Sequence, residues 1–241
     1  MPEDKVFKIS FNQILSEEMS RHFALTPLPL DPDLKVKRAK EGDKGAVIES
    51  HYLGCQKTSG IRMGEMDFAG SMVVHFGSIP PGEEYDFPIL GFTFVYASKF
   101  LIGVLDLHPL TRDQEYMDKY IEPLKDILPK YDGIPFAEGG RRETHDWAKR
   151  YDSGYSFYRW CDGKYLPNLE AAFKDYIHVF CDCIKKAEPL TDEKALLNRK
   201  HYMEQYSEDY TYKDPGSAPL QHHFGEEWSE RFLKGFLFAT S

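Results

Sequence analysis

Residues 83–110, EEYDFPILGFTFVYASKFLIGVLDLHPL, contain the two apolar runs that decide the fold. The runs, residues 89–96 and 100–107, are rich in β-branched and aromatic side chains, which favour strands. The residues between them are few enough for a hairpin, and Pro88 and Pro109 lie at the outer ends, where a missing N–H interrupts no ladder. We therefore predict an antiparallel pair of strands in the middle of a sheet.

Two polar side chains, Thr93 and Asp106, lie within these apolar runs. A polar group among apolar neighbours needs a hydrogen-bonding partner, because burial without one costs free energy. That partner is either the backbone of a neighbouring strand or a ligand. Taken alone, each residue is more simply explained as a satisfied polar residue of the core.

The composition narrows the class of protein. At 241 residues the chain is long enough for one large domain or two small ones, and its aromatic content of 15% favours a dense core or a flat apolar ligand. The formal net charge of −9 argues against a nucleic-acid-binding protein, which needs a surplus of Lys and Arg. The four cysteines show no CxxC spacing, and no apolar segment is long enough to span a bilayer. We expect a monomer with reduced thiols, no metal site and no membrane association.

Shorter patterns predict the remaining elements. Further strands are expected at residues 46–53, 61–68, 71–79 and 155–160, and helices at residues 11–23, 113–128, 166–186, from 191 to about 206, and 225–238. Consecutive strands with short links favour an antiparallel meander over a βαβ array. Because the strands come mostly early and the helices mostly late, we predict one α+β domain that spans residues 1–241.

Motifs of the common enzyme classes are missing. There is no GxGxxG or P-loop pattern, no GxSxG and no catalytic cysteine signature. His201, His222 and His223 lack the spacing of metal ligands, and a place on the surface explains them better. The loop at residues 212–217, YKDPGS, contains Asp214, whose backbone is restricted by the proline that follows. Taken alone, Asp214 is a turn residue that caps its own backbone.

Eight short segments, taken in their order and spacing, resemble one protein family. They are LPL at residues 28–30, VIES at 47–50, EYDFP at 84–88, VLDLHPL at 104–110, DQEYMDKY at 113–120, FYR at 157–159, KDPG at 213–216 and HFGEEWSERFLKGFLF at 223–238. Together they resemble the ferredoxin-dependent bilin reductases, which reduce biliverdin to phycobilins and phytochromobilin. The resemblance covers most of the chain and is closest to the 15,16-dihydrobiliverdin:ferredoxin oxidoreductase and phytochromobilin synthase branches.

The resemblance implies a fold, a reaction and partners. The family fold is a three-layer α/β/α sandwich around a central antiparallel sheet. No flavin, metal or nicotinamide is bound in the protein; electrons come singly from reduced [2Fe–2S] ferredoxin. The protein supplies protons to the bilin substrate, biliverdin IXα or dihydrobiliverdin. The setting implied is the cytoplasm of a cyanobacterial or phage-type host, or the plastid stroma if a transit peptide has been removed.

The resemblance also implies roles for three residues. Asp214 matches the family's aspartate on the loop before the last helix, which donates or relays protons. Lys213, beside it, is expected to contact the substrate. Arg159 matches a strand arginine that binds a bilin propionate through a charge-assisted pair, and a surface salt bridge is the alternative.

Two positions depart from the family pattern. Five residues after Pro88 most members carry an aspartate beneath the substrate, whereas this chain has Thr93; twelve residues before Pro88 members carry Asp, Asn or His, whereas this chain has Phe76. Both residues are expected to face the substrate, but neither delivers a proton at neutral pH. In a regular strand the adjacent His75 points to the other face. A β-bulge, or a one-residue insertion at residues 79–84, would return it, so His75 is a second catalytic candidate.

Ferredoxin docking requires a local basic surface, because ferredoxins are typically acidic and this chain is acidic overall. The candidate residues are Arg141, Arg142, Lys149, Arg150, Arg199 and Lys200. A ferredoxin-dependent reductase is the favoured function. The alternative is a non-catalytic bilin-binding or bilin-transfer protein with the same pocket.

Overall fold

The computed structural model describes residues 10–39, 45–97, 100–140 and 145–240. Its centre is an eight-stranded antiparallel sheet with the order β1-β3-β4-β5-β6-β7-β8, in which β2 pairs with the same edge of β3 as β1 does. The strands are β1 (Thr26–Pro27), β2 (Val36–Arg38), β3 (Ala46–Gly54), β4 (Ile61–Phe68), β5 (Met72–Ile79), β6 (Ile89–Ala97), β7 (Phe100–His108) and β8 (Phe157–Cys161). The hairpin predicted within residues 83–110 is confirmed as β6 and β7.

Helices cover both faces of the sheet, so the prediction of a three-layer α/β/α sandwich is confirmed. They are α1 (Phe11–Ser20), the single turn α2 (Pro32–Lys35), α3 (Gln114–Tyr120), α4 (Leu166–Lys186), α5 (Glu193–Tyr212), α6 (Ser217–Phe224) and α7 (Glu226–Phe232), which continues into a π-helical turn at Leu233–Leu237. Helices α1, α3 and α4 pack on one face, here called the back. The elements from α5 to the π-helical turn pack on the other face, the front.

The back layer closes a buried aromatic core. The apolar residues of α4 recur every three or four positions, which places them on one side of the helix. Phe173 of α4 approaches Phe92 and Phe94 of β6, with ring centroids 4.8 and 5.1 Å apart, and Phe11 of α1 stacks on Phe94 at 3.6 Å. Burial of each such side chain contributes about 1.5–3 kcal/mol to stability. The back of the sheet is therefore the main core of the domain.

An unbroken register decides which strand residues face the front. Strands β5 to β8 are paired so that Phe76, Thr93, Val104 and Tyr158 form one row across the sheet. Because side chains alternate between faces, the row that contains Phe94 and Arg159 faces the back. The neighbouring front row contains Ser78, Gly91 and Asp106.

Four predicted helices differ from the structure, and the first of them, expected at residues 11–23, ends at Ser20. The helix expected at residues 113–128 ends at Tyr120 and continues as 3₁₀ turns at Glu122–Asp126 and Leu128–Tyr131. Pro123 explains this difference, because proline lacks the N–H of an interior helical bond and clashes with the preceding turn. The helix expected to end near residue 206 extends to Tyr212, and the helix expected at 225–238 is α7 plus the π-helical turn. Helix α6 was missed.

Candidate functional site

The front face of the sheet is open over β6, β7 and β8. In the middle of these strands the back-facing side chains are buried, whereas the front-facing residues are only half-buried. The half-buried residues are Gly91, Thr93, Val95, Ile102, Val104 and Tyr158, and we call this strip the front cleft. Over β3 to β5, front residues such as Ile48, Met66 and Phe76 are buried beneath the C-terminal helices. The front cleft is therefore the accessible part of this face.

Phe76 and Thr93, both expected to face the substrate, are cross-strand partners on the front face, but their surroundings differ. Phe76 is 9% exposed and meets the Phe232 ring edge to face at 5.9 Å. It also fills the space above Gly64, where a Cβ would lie 2.6 Å from the ring. Thr93 is half-buried on the cleft floor. Of the two, Thr93 is the one placed to touch a ligand.

A buried acid and a histidine adjoin the front cleft. Asp106 is 3% exposed, and its carboxylate accepts hydrogen bonds from the backbone N–H and the hydroxyl of Ser153. Burial raises the pKa of Asp106, although His108 and Ser153 counteract it. His108 lies on the same face, with Nδ1 3.0 Å from the Tyr151 carbonyl oxygen and 3.7 Å from Asp106 Oδ2. The imidazole thus has an acid and a carbonyl behind it.

A group of four tyrosines connects this pair to α5. Tyr206 and Tyr210 lie 5.7 and 5.6 Å from the His108 ring, and the Tyr210 hydroxyl is 3.3 Å from His108 Nε2. Tyr151 packs on both and donates a 2.7 Å hydrogen bond to Asp209, and Tyr202 donates to the Pro109 carbonyl oxygen. Burial raises the pKa of Tyr206 and Tyr210 well above the usual value, so both phenols hold their protons at neutral pH.

Asp214 lies beside the same tyrosines, half-buried in the loop between α5 and α6. Its Oδ1 accepts the backbone N–H of Gly216 at 2.8 Å, which confirms the predicted turn. Its negative charge also contributes to the raised pKa of both Tyr206 and Tyr210. His108 contacts both phenols, and Asp214 is close enough to act on them electrostatically.

Lys213 is exposed and paired with a different carboxylate. Its Nζ is 2.8 Å from Asp209 Oδ1, on the preceding turn of α5. Burial tends to raise the pKa of Asp209, but hydrogen bonds from Lys213, Tyr151 and Gln205 outweigh it and the pKa is lowered. This pairing holds the ammonium group near the end of α5.

The structure contradicts the placement of His75 beside Phe76. The register of β5 with both neighbours is continuous, so no bulge returns His75 to the front. The ring is 5% exposed and faces the back, with the Phe11 ring at 5.8 Å and Glu65 Oε2 at 3.4 Å from Nδ1. Burial lowers the pKa of His75 to about 4. It is a neutral core residue at physiological pH.

The structure also contradicts the placement of Arg159 in the cleft with Asp214. Arg159 pairs with Gly103, whose neighbours Leu169 and Phe94 belong to the back core. Its guanidinium donates to Asp132 Oδ1 at 3.2 Å and to the Tyr131 carbonyl oxygen at 3.3 Å. Two-residue alternation along β8 explains the difference: the front position belongs to Tyr158.

Of the residues predicted to bind ferredoxin, three are exposed, one is buried and two lie outside the described residues. Lys149 and Arg150 are exposed; Lys149 pairs with Asp146 at 2.7 Å, and the Arg150 guanidinium lies 5.1 Å from the Tyr151 ring. Arg199 corrects the prediction, because it is 7% exposed and its guanidinium donates to the carbonyl oxygens of Tyr85 and Pro81 at 2.7 Å. Lys200 is exposed. Arg141 and Arg142 lie outside the described residues.

A cavity of about 1080 Å³ lies apart from the cleft residues. Its lining includes Lys57, Glu84, Arg199, Lys200 and Thr240. Lys57 is held there by α4, because its Nζ donates to the carbonyl oxygens of Ile184 and Ala187. Neither the tyrosine group around His108 nor Asp214 contributes to the lining, so this cavity is not the candidate site.

Metal and thiol chemistry find no support in the part of the chain that the structure describes. Across those residues no group of three or more His, Cys, Asp or Glu side chains could hold a metal ion. The four cysteines, Cys55, Cys161, Cys181 and Cys183, are buried and free, and burial raises the pKa of each to about 11 or 12. No helix within residues 10–39, 45–97, 100–140 and 145–240 is long and apolar enough to cross a membrane.

Comparisons with known proteins agree with this architecture. The family model described as ferredoxin-dependent bilin reductase matches residues 12–239. A 15,16-dihydrobiliverdin:ferredoxin oxidoreductase of Nostoc punctiforme is 32% identical over 237 residues, covering 96% of this chain and 94% of the relative. A phycoerythrobilin:ferredoxin oxidoreductase of Gloeobacter violaceus is 27% identical, covering 95% and 93%.

A solved structure has the same fold. The phytochromobilin synthase of tomato, crystallised in complex with biliverdin, superposes with a TM-score of 0.85 at 22% identity, over 96% of this chain and 83% of that one. The open sheet face and the matched family model together define an oxidoreductase of linear tetrapyrroles. The chain belongs to the ferredoxin-dependent bilin reductase family. The resemblance on which the predicted function depended is confirmed.

Sequence reasoning missed His108, Tyr206 and Tyr210. His108 stands two residues after Asp106 within the segment VLDLHPL, and that spacing places both side chains on one face of a strand. The polar alternation was therefore a usable signal. The two tyrosines come from a helix more than ninety residues later, and only the folded chain places them beside His108.

Proposed function

We propose that this protein reduces a biliverdin-type linear tetrapyrrole, bound in the front cleft, with electrons from reduced [2Fe–2S] ferredoxin. The observation that carries the proposal is the change in burial within β6 to β8, where back residues are buried and front residues are half-buried. A long, flat and largely apolar pigment suits a floor made of Thr93, Val95, Ile102 and Val104. Family membership supplies the reaction class.

Asp214 is the proposed proton donor. Each double bond that is reduced takes up two electrons and two protons, and ferredoxin supplies only the electrons. A carboxyl group beside protonated phenols can pass a proton to the cleft and recover it from solvent. The support for this role is the loop geometry of Asp214 and its electrostatic effect on Tyr206 and Tyr210. The front-facing Thr93 and Phe76 add no acid of their own.

Lys149 and Arg150 are the proposed ferredoxin contact among the described residues. Arg112 holds their segment against the domain, because its guanidinium donates to the carbonyl oxygens of Lys149 and Arg150. Arg150 in turn covers Tyr151, whose ring lies 5.1 Å from that of Tyr206. A partner seated on Arg150 would be separated from the cleft by little more than this tyrosine group. Arg141 and Arg142 stay candidates from the sequence.

The electron donor also suggests the compartment. We propose a monomer in a compartment that contains reduced ferredoxin, either a cytoplasm or a plastid stroma.

Lys213, held at the end of α5 by Asp209, is proposed to contact a bilin propionate. Biliverdin IXα and 15,16-dihydrobiliverdin are both candidate substrates, and the residues around the cleft do not favour one.

An anaerobic absorbance time course tests the function. Biliverdin and 15,16-dihydrobiliverdin are each incubated with the protein, ferredoxin and a ferredoxin-reducing system, with a matched sample that lacks ferredoxin. We expect one substrate's absorption to be replaced by that of a more reduced bilin only when ferredoxin is present. A shift on binding with no later loss of either substrate would instead support a bilin-binding protein without reductase activity.

A further inference from the structure

His108 adjoins the front cleft and has no role in the function proposed above. It ends β7 opposite Ile89, and its ring leans over Gly91 of β6. A Cβ built at Gly91 would lie 2.7 Å from His108 Nε2, so only glycine leaves room for the imidazole there. Gly91 lies two residues before Thr93 on the same face, about 6.6 Å along the strand. The imidazole is thus on the same face as Thr93, one strand repeat away along β6.

The hydrogen bonds around His108 determine the direction in which it can donate. A carbonyl oxygen only accepts, so Nδ1 must donate to the Tyr151 carbonyl oxygen at 3.0 Å. Nε2 is then the nitrogen that gains and loses a proton, and it faces the Tyr210 hydroxyl at 3.3 Å. The Asp106 carboxyl lies on the same side of the ring, with Oδ2 3.7 Å from Nδ1. An oriented imidazole backed by an acid is the usual arrangement of a proton-transfer histidine.

A supply route for the proton is also present. The Tyr210 hydroxyl contacts His108 Nε2, and the Tyr210 ring lies 4.3 Å from that of Tyr206. Both Asp106 and Asp214 act electrostatically on the Tyr210 phenol. The hydroxyl is thus in contact with Nε2 and within the electrostatic reach of both acidic residues, so it can pass a proton to Nε2.

We propose that His108 is a second proton-delivering residue for the bilin, reprotonated through the Tyr210 hydroxyl; this inference rests on the proposed function of the front cleft. One electron from ferredoxin converts the bilin into a radical anion, and the imidazolium transfers the Nε2 proton to it, leaving neutral imidazole. A second ferredoxin supplies the second electron, and the carboxylic acid of Asp214 supplies the second proton. One double bond is reduced, and two ferredoxins are oxidised.

The test compares His108→Gln with His201→Gln. Glutamine keeps similar reach and hydrogen-bonding capacity at position 108 but supplies no acidic proton. His201 is exposed, paired only locally with Glu204, and serves as the matched control. Bilin affinity is measured by absorbance titration, and reduction by single turnover with excess reduced ferredoxin, with electron paramagnetic resonance to detect the bilin radical.

We expect His108→Gln to bind bilin within about threefold of the parent but to reduce it about 100-fold more slowly, because a general acid typically contributes a factor of 10²–10⁴. The bilin radical should accumulate, since electron transfer continues while protonation lags. A purely structural role would weaken binding and leave no trapped radical. Reduction by His108→Gln at the parental rate, without a persistent radical, would overturn the inference.

A second variant covers the possibility that His108→Gln does not fold. Tyr210→Phe removes only the hydroxyl next to Nε2 and leaves the aromatic contacts in place. We expect slower turnover over repeated cycles, with the first proton transfer less affected, because reprotonation of the imidazole is impaired. Unchanged multiple-turnover rates would contradict the relay. If the parent itself reduces neither biliverdin nor 15,16-dihydrobiliverdin, the proposed function fails; if the parent is active and His108→Gln is equally active, only this inference fails.

Discussion

The back and the front of the same three strands differ in what covers them. On the back of β6 to β8 the side chains of α1 and α4 pack on the strands, and residues such as Phe94 and Leu105 are at most 1% exposed. On the front, their immediate neighbours Thr93 and Val104 are half-buried. Apolar residues occur on both faces of these strands, so hydrophobicity alone does not distinguish the back face from the front face. The comparison teaches that the site lies where no helix covers the sheet. It also teaches that the face on which a polar residue lies decides whether it can contact a ligand.

The strongest test of this comparison places the same charge on adjacent residues. Phe94→Asp should abolish folding, because it removes an aromatic stack 3.6 Å from Phe11 and buries a carboxylate without a partner. The combined cost is more than about 5 kcal/mol. Thr93→Asp should change the free energy of unfolding by no more than about 1 kcal/mol, since the new carboxylate reaches the open cleft. Urea denaturation of both variants provides the measurement, and equal losses of stability would refute the difference between the faces.

A second test concerns function on the front face. Asp214→Asn keeps the size of the side chain and the hydrogen bond from the Gly216 N–H, which is 2.8 Å from Oδ1, but removes the acidic proton. We expect bilin binding to persist and the single-turnover reduction rate to fall by about 10²–10⁴-fold. Asp132→Asn is the matched control, because Asp132 pairs with Arg159 away from the cleft. Equal rates for Asp214→Asn and the parent would remove Asp214 from the reaction.

The main strands of the sheet were predictable because the residue types and the alternation within each segment indicate a strand. Residues 61–68 were predicted with the observed bounds, and β6 and β7 within one residue at each end. The faces of individual polar residues were harder. The family resemblance led us to expect Phe76 and Thr93 on one face, where they are cross-strand partners, and alternation warned that His75 points the other way. No feature of the sequence indicates the bulge that would have turned His75 to the front face. The continuous register of β5 with both neighbouring strands excludes such a bulge.

Arg159 and His108 show why the remainder of the site was out of reach. The family resemblance implied that Arg159 binds the substrate. In β8, however, side chains alternate between faces, so Tyr158 faces the front and Arg159 faces the back. Strand phase depends on pairing with β7, which involves residues more than fifty positions earlier. Alternation in VLDLHPL signals that His108 shares a face with Asp106, but only the folded chain brings Tyr206 and Tyr210 against its ring. Contacts of this kind depend on tertiary packing rather than on local pattern.

His75 offers a third test, with a pH dependence specific to the back face. Its pKa is about 4 in the folded protein, against about 6.5 in the unfolded chain, so the unfolded state binds the proton more readily. The stability contributed by neutral His75 is therefore complete above pH 6.5 and is lost as the pH falls towards 4, by about 3 kcal/mol.

The measurement compares the parent with His75→Leu, which cannot titrate. The difference in their free energies of unfolding should shift by about 3 kcal/mol in favour of the variant between pH 6.5 and pH 4. Bilin reduction at neutral pH should stay within about threefold of the parent, because His75 does not face the cleft. A pH-independent difference would show that His75 is not buried in neutral form. A severe loss of bilin reduction with unchanged stability would instead make His75 a candidate proton donor again.

The smallest expected effect concerns the surface beside the front cleft. Lys149→Glu combined with Arg150→Glu should raise the KM for ferredoxin about tenfold at low ionic strength and leave bilin affinity unchanged, because exposed charges steer a partner without shaping the pocket. The control is Lys125→Glu with Lys185→Glu, which changes the net charge equally on exposed residues of the back layer. Added salt should weaken the parent towards the variant, since attraction between exposed charges is screened over about 8–10 Å at physiological ionic strength. Equal effects of the two double variants would mean that overall charge, rather than this surface, governs the encounter, and ferredoxin would then have to dock through other residues.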